Sequence, residues 1–193
     1  MAQPPHPFAV VRRVHLPDAR AMHDFLLGLS KESRRNRFHS SFGSVSPSLL
    51  ARLVSADDER HAAWVACIWG AHGEEIIGEA VWYVVDPVAG VAELAISVRD
   101  EWHGTGVADQ LMAALVRGAR QARMQQLYGD VLVGNARMLA FMRRHGLEEG
   151  VCDDVPDLGS VRLGMRLGEP AVSPKLGHPL RGRLLARLKA GWR

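Results

Sequence analysis

The chain has 193 residues, 47% of them hydrophobic and 23% charged, which fits one globular domain with a short appendage and excludes a mostly disordered chain. Its formal net charge is +3, from 24 Lys and Arg against 21 Asp and Glu. Six basic residues and one acid fall between Gly168 and Arg193. Subtracting that surplus of five leaves the rest near −2 and excludes a broadly basic, nucleic-acid-binding body.

In chain order, Phe8 to Leu16 reads as a first strand. Pro17-Asp18 breaks it and starts a helix with Met22, Phe25, Leu26 and Leu29 on one face. Ser30 to Phe42 is polar and basic, a short helix or a loop. Ser46-Pro47 pairs an N-cap serine with proline at the first helical position, and Leu49, Leu50 and Leu53 make that helix apolar on one side. His61–Trp69, Glu74–Val85 and Val91–Arg99 read as strands, with Ala71-His72-Gly73 as a hairpin connection, so an antiparallel meander is predicted. From Thr105 to Arg123 the period becomes 3.6: Val107, Leu111, Met112, Leu115 and Ala119 lie on one broad helical face. Gln126–Val133 is a strand, and Asn135–His145 a helix closed by Gly146 at a left-handed C-cap position. Leu147–Cys152 and Ser160–Leu167 read as the last strands. This order predicts an α+β fold over residues 1–168, with a mixed central sheet of about seven strands, flanking helices and one right-handed crossover.

Residues 169–193 form a separate basic tail. Its prolines and glycines make Glu169–Pro179 a linker. Leu180, Leu184, Leu185, Leu188 and Trp192 then recur at helical spacing, as in a terminal helix that packs on its own domain or on a dimer mate. No apolar run reaches the roughly 18 residues of a membrane-spanning helix, so no membrane partner is expected. The N-terminus lacks the basic-then-apolar pattern of a secretory signal, and a cytoplasmic location is the default. Two cysteines, Cys67 and Cys152, make no disulfide framework, and no CxxC or HExxH spacing calls for a metal.

The chemistry concentrates between residues 93 and 108. A strand ends near Arg99, a short loop follows, and Gly104-Thr105-Gly106 opens the long helix. The first N–H groups of a helix lack intrahelical partners and carry the positive end of its dipole. Glycines let that backbone approach an anion without a Cβ in the way, so a diphosphate is the natural ligand. The P-loop pattern is absent, and Asp109 occupies the third-glycine position of the dinucleotide fingerprint.

His103-Gly104-Thr105-Gly106-Val107-Ala108 resembles the acyl-CoA signature of the GCN5-related N-acetyltransferase (GNAT) superfamily, with histidine where glutamine or arginine is usual. Asn135, followed by Gly146-Leu147, resembles its second motif, and the likeness covers about Phe8 to Leu167. Ser33-Arg34-Arg35-Asn36-Arg37-Phe38, Ala92-Glu93 and Asn135-Ala-Arg-Met-Leu139 resemble the GNAT domain of Pat-type bacterial protein-lysine acetyltransferases. The resemblance implies a V-shaped opening between strands 91–99 and 126–133. Pantetheine would pair there with the main chain around Ile96, Ser97 and Val98. The diphosphate would sit on residues 103–108, and Asn135 would contact the cofactor. Acetyl-CoA is thus the implied co-substrate.

An amine acceptor with a pKa near 10.4 must lose a proton before it attacks a thioester. On strand 91–99, Leu94, Ile96 and Val98 share one face, and Glu93, Ala95 and Ser97 the other. By pattern alone Glu93 is a solvated strand residue. The Pat-type resemblance makes it the catalytic base, and a buried carboxylate there would have a raised pKa and act directly or through a water. Many members carry a tyrosine seven residues after the motif asparagine. Here Met142 stands there, and no dedicated acid is expected. The expected activity is acetyl transfer to an amine, with a protein lysine slightly preferred. The alternatives are a small-molecule amine acceptor and a non-catalytic acyl-CoA sensor.

Overall fold

Among the described residues six strands form one sheet whose spatial order follows the chain: β1 (Val10–Arg13), β2 (His61–Gly70), β3 (Gly73–Asp86), β4 (Val91–Val98), β5 (Gln126–Leu132) and β6 (Ser160–Arg166). This computed structural model describes residues 8–40, 44–55, 60–70, 73–152, 156 and 159–168. The basic tail, the Ala71-His72 part of the hairpin connection and Phe42 lie outside the described residues. Neighbouring strands are antiparallel except β4 and β5. A parallel pair needs a crossover, and helix α4 (Val107–Gln121) supplies it.

Between β1 and β2 lie α1 (Ala19–Gly28), α2 (Lys31–Phe38) and α3 (Pro47–Val54), and α5 (Ala136–Arg144) links β5 to β6. Three of these helices begin on a side-chain cap. Ser30 accepts from the Ser33 amide, Ser46 from Leu49 and Asn135 from Met138. The expected Ser46-Pro47 start is therefore present, and Gly146 takes the left-handed conformation after α5, at φ 79°.

Strand alternation divides the core in two. Trp64, Ala66, Trp82, Leu94 and Ile96 face one way, against Leu111, Met112 and Leu115 of α4 and Phe141 and Met142 of α5. Val65, Cys67, Ile76, Val81 and Tyr83 face the other, against Met22, Phe25 and Leu26 of α1 and Leu49 and Leu53 of α3. Two details differ from the sequence reading. The polar stretch after Ser30 resolves as helix α2. The segment 147–152 makes a single bridge, Glu148 to Gly164, in place of a seventh strand; its Glu148-Glu149-Gly150 run offers no alternating apolar face. Among the described residues no helix is long and apolar enough to cross a membrane.

Candidate active site

The parallel ladder of β4 and β5 is three residue pairs long: Val91 with Gln126, Ala92 with Leu127 and Glu93 with Tyr128. Beyond them the strands part, and a cleft of about 360 Å³ opens between them. Arg99 donates its amide to Ile77 O on β3. By alternation the main-chain groups of Leu94, Ile96 and Val98 therefore point into the cleft. Those of Ser97 turn toward β3, where its carbonyl lies 3.2 Å from the place a Cβ on Gly78 would take. The pairing edge expected at residues 96–98 is thus present at Ile96 and Val98, and the Ser97 main chain belongs to the neighbouring ladder.

The cleft passes through the sheet and has two ends of different chemistry. At the α4 end lie His103, Gly104, Gly106, Ala108, Asn135 and Arg137. Gly104 and Gly106 adopt φ of 78° and 87°, and a Cβ on either would meet nothing within 4 Å. The glycines are needed for the turn, and the space beside them is open to a ligand. The first intrahelical bond of α4 runs from the Gln110 amide to Gly106 O, so the amides of Val107, Ala108 and Asp109 precede it. The side chains of Thr105 and Val107 serve the scaffold: Thr105 Oγ1 donates to Trp102 O at 2.7 Å, and Val107 is buried in the core. Asn135 Oδ1 caps α5 at 3.1 Å, which leaves its amide NH₂ for the cleft. These open amides and positive-φ glycines fit a diphosphate.

At the other end lie Glu93, Asp130, the α2 residues Ser33, Asn36 and Arg37, and His39 just after that helix. Glu93 lies on the face opposite the apolar Leu94 and Ile96, as the strand pattern predicts, but it is buried, where pattern alone reads a solvated residue. Tyr83 and Tyr128 are its cross-strand partners. Burial raises both phenols above their ordinary range, and the Glu93 carboxylate adds to this. Both stay protonated at any physiological pH. Asp130 receives two bonds from Arg162, from Nε and Nη2, each at 2.7 Å, and the same guanidinium lies 4.1 Å over the Tyr128 ring. Met142 is buried and packs in the core.

Two polar ties fix α2 over this end. Arg37 Nε donates to Glu79 Oε1 at 2.6 Å, and Ser97 Oγ donates to the same oxygen at 3.2 Å. Asp100, in the turn before the glycine cradle, receives the Ser30 amide, Ser30 Oγ and Ser33 Oγ. Burial alone would raise the Asp100 carboxyl, but these bonds outweigh it and hold it below the usual carboxylate range. One acid thus links the wall of the second end to the loop of the first. Sequence reasoning missed Asp100, Asp130, Glu79 and Arg137, because the partners of each lie 18 or more residues away. Among the described residues no cluster of His, Cys, Asp or Glu could hold a metal ion.

Comparison with known proteins agrees with this architecture. The sequence profile of the acetyltransferase (GNAT) family matches residues 31–147. Acetyltransferase Pat of Mycolicibacterium smegmatis is 32% identical over 117 residues, which is 61% of this chain and 34% of that protein. The chain therefore matches about a third of that relative's length. The crystal structure of the GNAT domain of S. lividans PAT superposes with a TM-score of 0.74 at 24% identity, covering 86% of this chain and 100% of that one. The structure of yncA from Salmonella typhimurium, solved with its cofactor acetyl-CoA, gives 0.66 at 14% identity, covering 88% and 99%. At these identities the two structures show a shared fold.

Proposed function

The chain belongs to the acetyltransferase (GNAT) family, and from that premise we propose that it transfers the acetyl group of acetyl-CoA to an amine, with a protein lysine as the preferred acceptor. The observation that carries this reading is the parting of β4 and β5 directly after Glu93. It connects an anion cradle on one face of the sheet to a buried carboxylate on the other.

Acetyl-CoA supplies an activated thioester. Its diphosphate is assigned to the amides of residues 103–108, and its pantetheine arm to the cleft-facing main chain of Ile96 and Val98. Asn135 donates its amide from α5. The acceptor enters from the α2 side as an ammonium. Glu93 takes one proton from it, directly or through a water, and frees the nitrogen lone pair for attack on the thioester carbonyl. The nitrogen of the tetrahedral adduct gives up a second proton to water as the C–S bond breaks, and the leaving thiolate takes its proton from water, because Met142 stands where a tyrosine acid would be and cannot donate one. The Pat likeness supports a lysine acceptor, as does the placement of Ser33, Asn36 and Arg37 along the acceptor end of the cleft.

The test is incubation of the protein with isotopically labelled acetyl-CoA and, separately, a protein extract and a panel of polyamines, amino acids and aminoglycosides. Mass spectrometry should find labelled acetyl-lysine in protein. Label only in small amines would overturn the acceptor. Tight acetyl-CoA binding without label in either would make the protein a sensor.

A further inference from the structure

His103 and Arg137 come from different walls of the cleft and meet across its mouth. His103 ends the turn after β4, immediately before the glycine cradle, and Arg137 is in the first turn of α5. His103 Nε2 lies 2.9 Å from Val98 O. A carbonyl can only accept, so Nε2 carries the proton and Nδ1 is left as an acceptor. Arg137 Nη1 donates to that Nδ1 at 2.7 Å. The imidazole is thus held at both ends in one tautomer and orients the guanidinium.

Charge is unevenly distributed around this bridge. Among the described residues three arginines line the cleft, Arg37, Arg137 and Arg144. Arg37 is paired with Glu79, and Arg144 with Asp109 at 2.7 Å. His145 Nε2 also lies 2.8 Å from Asp109 Oδ1. Asp109 is thereby held below the usual carboxylate range, chiefly by the Arg144 bond, and its charge at the start of α4 is balanced. Arg137 instead bonds to a neutral imidazole nitrogen, which cancels no charge. Its side chain is exposed, its remaining N–H donors are available, and it is bonded to the residue that directly precedes Gly104, on the lining of the same cleft. Helix amides alone offer partial charges to a diphosphate. A guanidinium offers a full charge and a planar set of donors matched to phosphate oxygens.

We infer that Arg137 is a cosubstrate-binding residue that contacts the diphosphate over the Gly104–Gly106 cradle, and that His103 is the residue that positions it. The inference rests on the acetyl-CoA reading above and adds a contact that the glycine-loop motif does not contain. In this arrangement α5 closes on the ligand through one side chain, and the histidine replaces the disorder of a long exposed arginine with a single geometry.

Calorimetric titration of Arg137→Ala with CoA and with 3′-dephospho-CoA tests it. Both ligands keep the diphosphate, and only the first has the 3′-phosphate. The variant should bind both about tenfold more weakly, by a common factor, as expected for loss of one charge-assisted contact. His103→Ala should weaken both in the same direction, and should add almost nothing in the Arg137→Ala background, since its effect runs through the arginine. Arg137 is exposed, and unchanged thermal melts will show that the variant is folded. Unchanged affinity for both ligands would overturn the inference, as would a loss confined to CoA, which would place the arginine on the 3′-phosphate. An additive effect of His103→Ala would remove the positioning role. Failure of the wild-type protein to bind either ligand would sink the acetyl-CoA reading itself, a different outcome from wild-type binding that the variant retains.

Discussion

Glu93 on β4 and Tyr128 on β5 are the last paired residues of the parallel ladder, and the cleft begins at the next step along each strand. The carboxylate therefore sits on backbone held by hydrogen bonds to β3 on one side and β5 on the other, at the apex of an opening whose walls are otherwise free to line a ligand. A carboxylate on a rigid strand at the point of parting is fixed relative to both ends of the cleft without a loop, as the proposed role of Glu93 as base requires.

The first prediction follows from that placement. Glu93→Gln keeps the size and the hydrogen-bonding capacity but cannot accept a proton. Turnover at pH 7 should fall on the order of 10²–10⁴-fold, with acetyl-CoA affinity nearly intact, because the residue lies at the far end of the cleft from the cradle. The acceptor amine is mostly protonated at pH 7, with a pKa near 10.4 in water, so the deficit should shrink as pH rises toward 10. Steady-state rates from pH 7 to 10 measure this. Near-native turnover at pH 7 would remove Glu93 from the mechanism.

The second concerns Gly106, whose φ of 87° precedes α4. Gly106→Ala isolates the backbone effect, about 1–2 kcal/mol for a side chain in that region. Gly106→Asp adds a negative charge where the diphosphate is assigned. Acetyl-CoA affinity should fall at least tenfold in the aspartate variant, about 1.4 kcal/mol, and clearly further than in the alanine variant. Equal losses in the two would mean that the turn, not the anion, sets the requirement for glycine.

What could be read from the chain beforehand follows a physical division. The helix α4 was legible because its burial rests on period alone: Val107, Leu111, Met112 and Leu115 recur on one stripe and are buried. The cap of α3 and the side of β4 that carries Glu93 were legible for the same local reason. Helix α2 was not settled, since KESRRNRF has no apolar stripe; its anchors are Arg37 to Glu79 and Ser33 to Asp100, 42 and 67 residues away. The cradle was visible as glycines next to a helix start. The bridge from His103 to Arg137 spans 34 residues and two walls, and nothing in local spacing marks it.

The buried ion pair under α2 gives a third prediction. The side chains of Arg37 and Glu79 are 3% and 1% exposed, so water cannot take over for a missing partner. Removing one member of such a pair typically costs about 3–5 kcal/mol, while replacing both with apolar residues can be neutral. Arg37→Met should therefore destabilise strongly, and the double variant Arg37→Met with Glu79→Leu should recover most of the loss. Urea unfolding of the parent and these two variants reads this directly. A single variant within 1 kcal/mol of the parent would show that the pair is solvated through the cleft.

The last prediction turns on a competition within α4. Gly118 lies in the helix, where alanine is ordinarily better by about 1 kcal/mol. A Cβ at this position would fall inside van der Waals contact of Cζ2 and Cη2 of Trp64, a ring that is itself buried and carries the Arg13 guanidinium 4.5 Å from its centroid. The indole is a rigid, buried ring and does not yield as the end of a flexible side chain would. Overpacking of this kind costs about 1–3 kcal/mol, which outweighs the helix propensity. Gly118→Ala should thus lower the melting temperature by a few degrees, at roughly 2–4 °C per kcal/mol for a domain of this size. Activity per folded molecule should be unchanged, because Gly118 and Trp64 lie away from the cleft. In a Trp64→Leu background the obstacle is gone, and the same Gly118→Ala change should become stabilising by several tenths of a kcal/mol. Differential scanning calorimetry of the four proteins tests the sign change. A substitution that stabilises in both backgrounds would mean that α4 shifts to admit the methyl, and that the contact between Gly118 and Trp64 does not fix the height of the helix above the sheet.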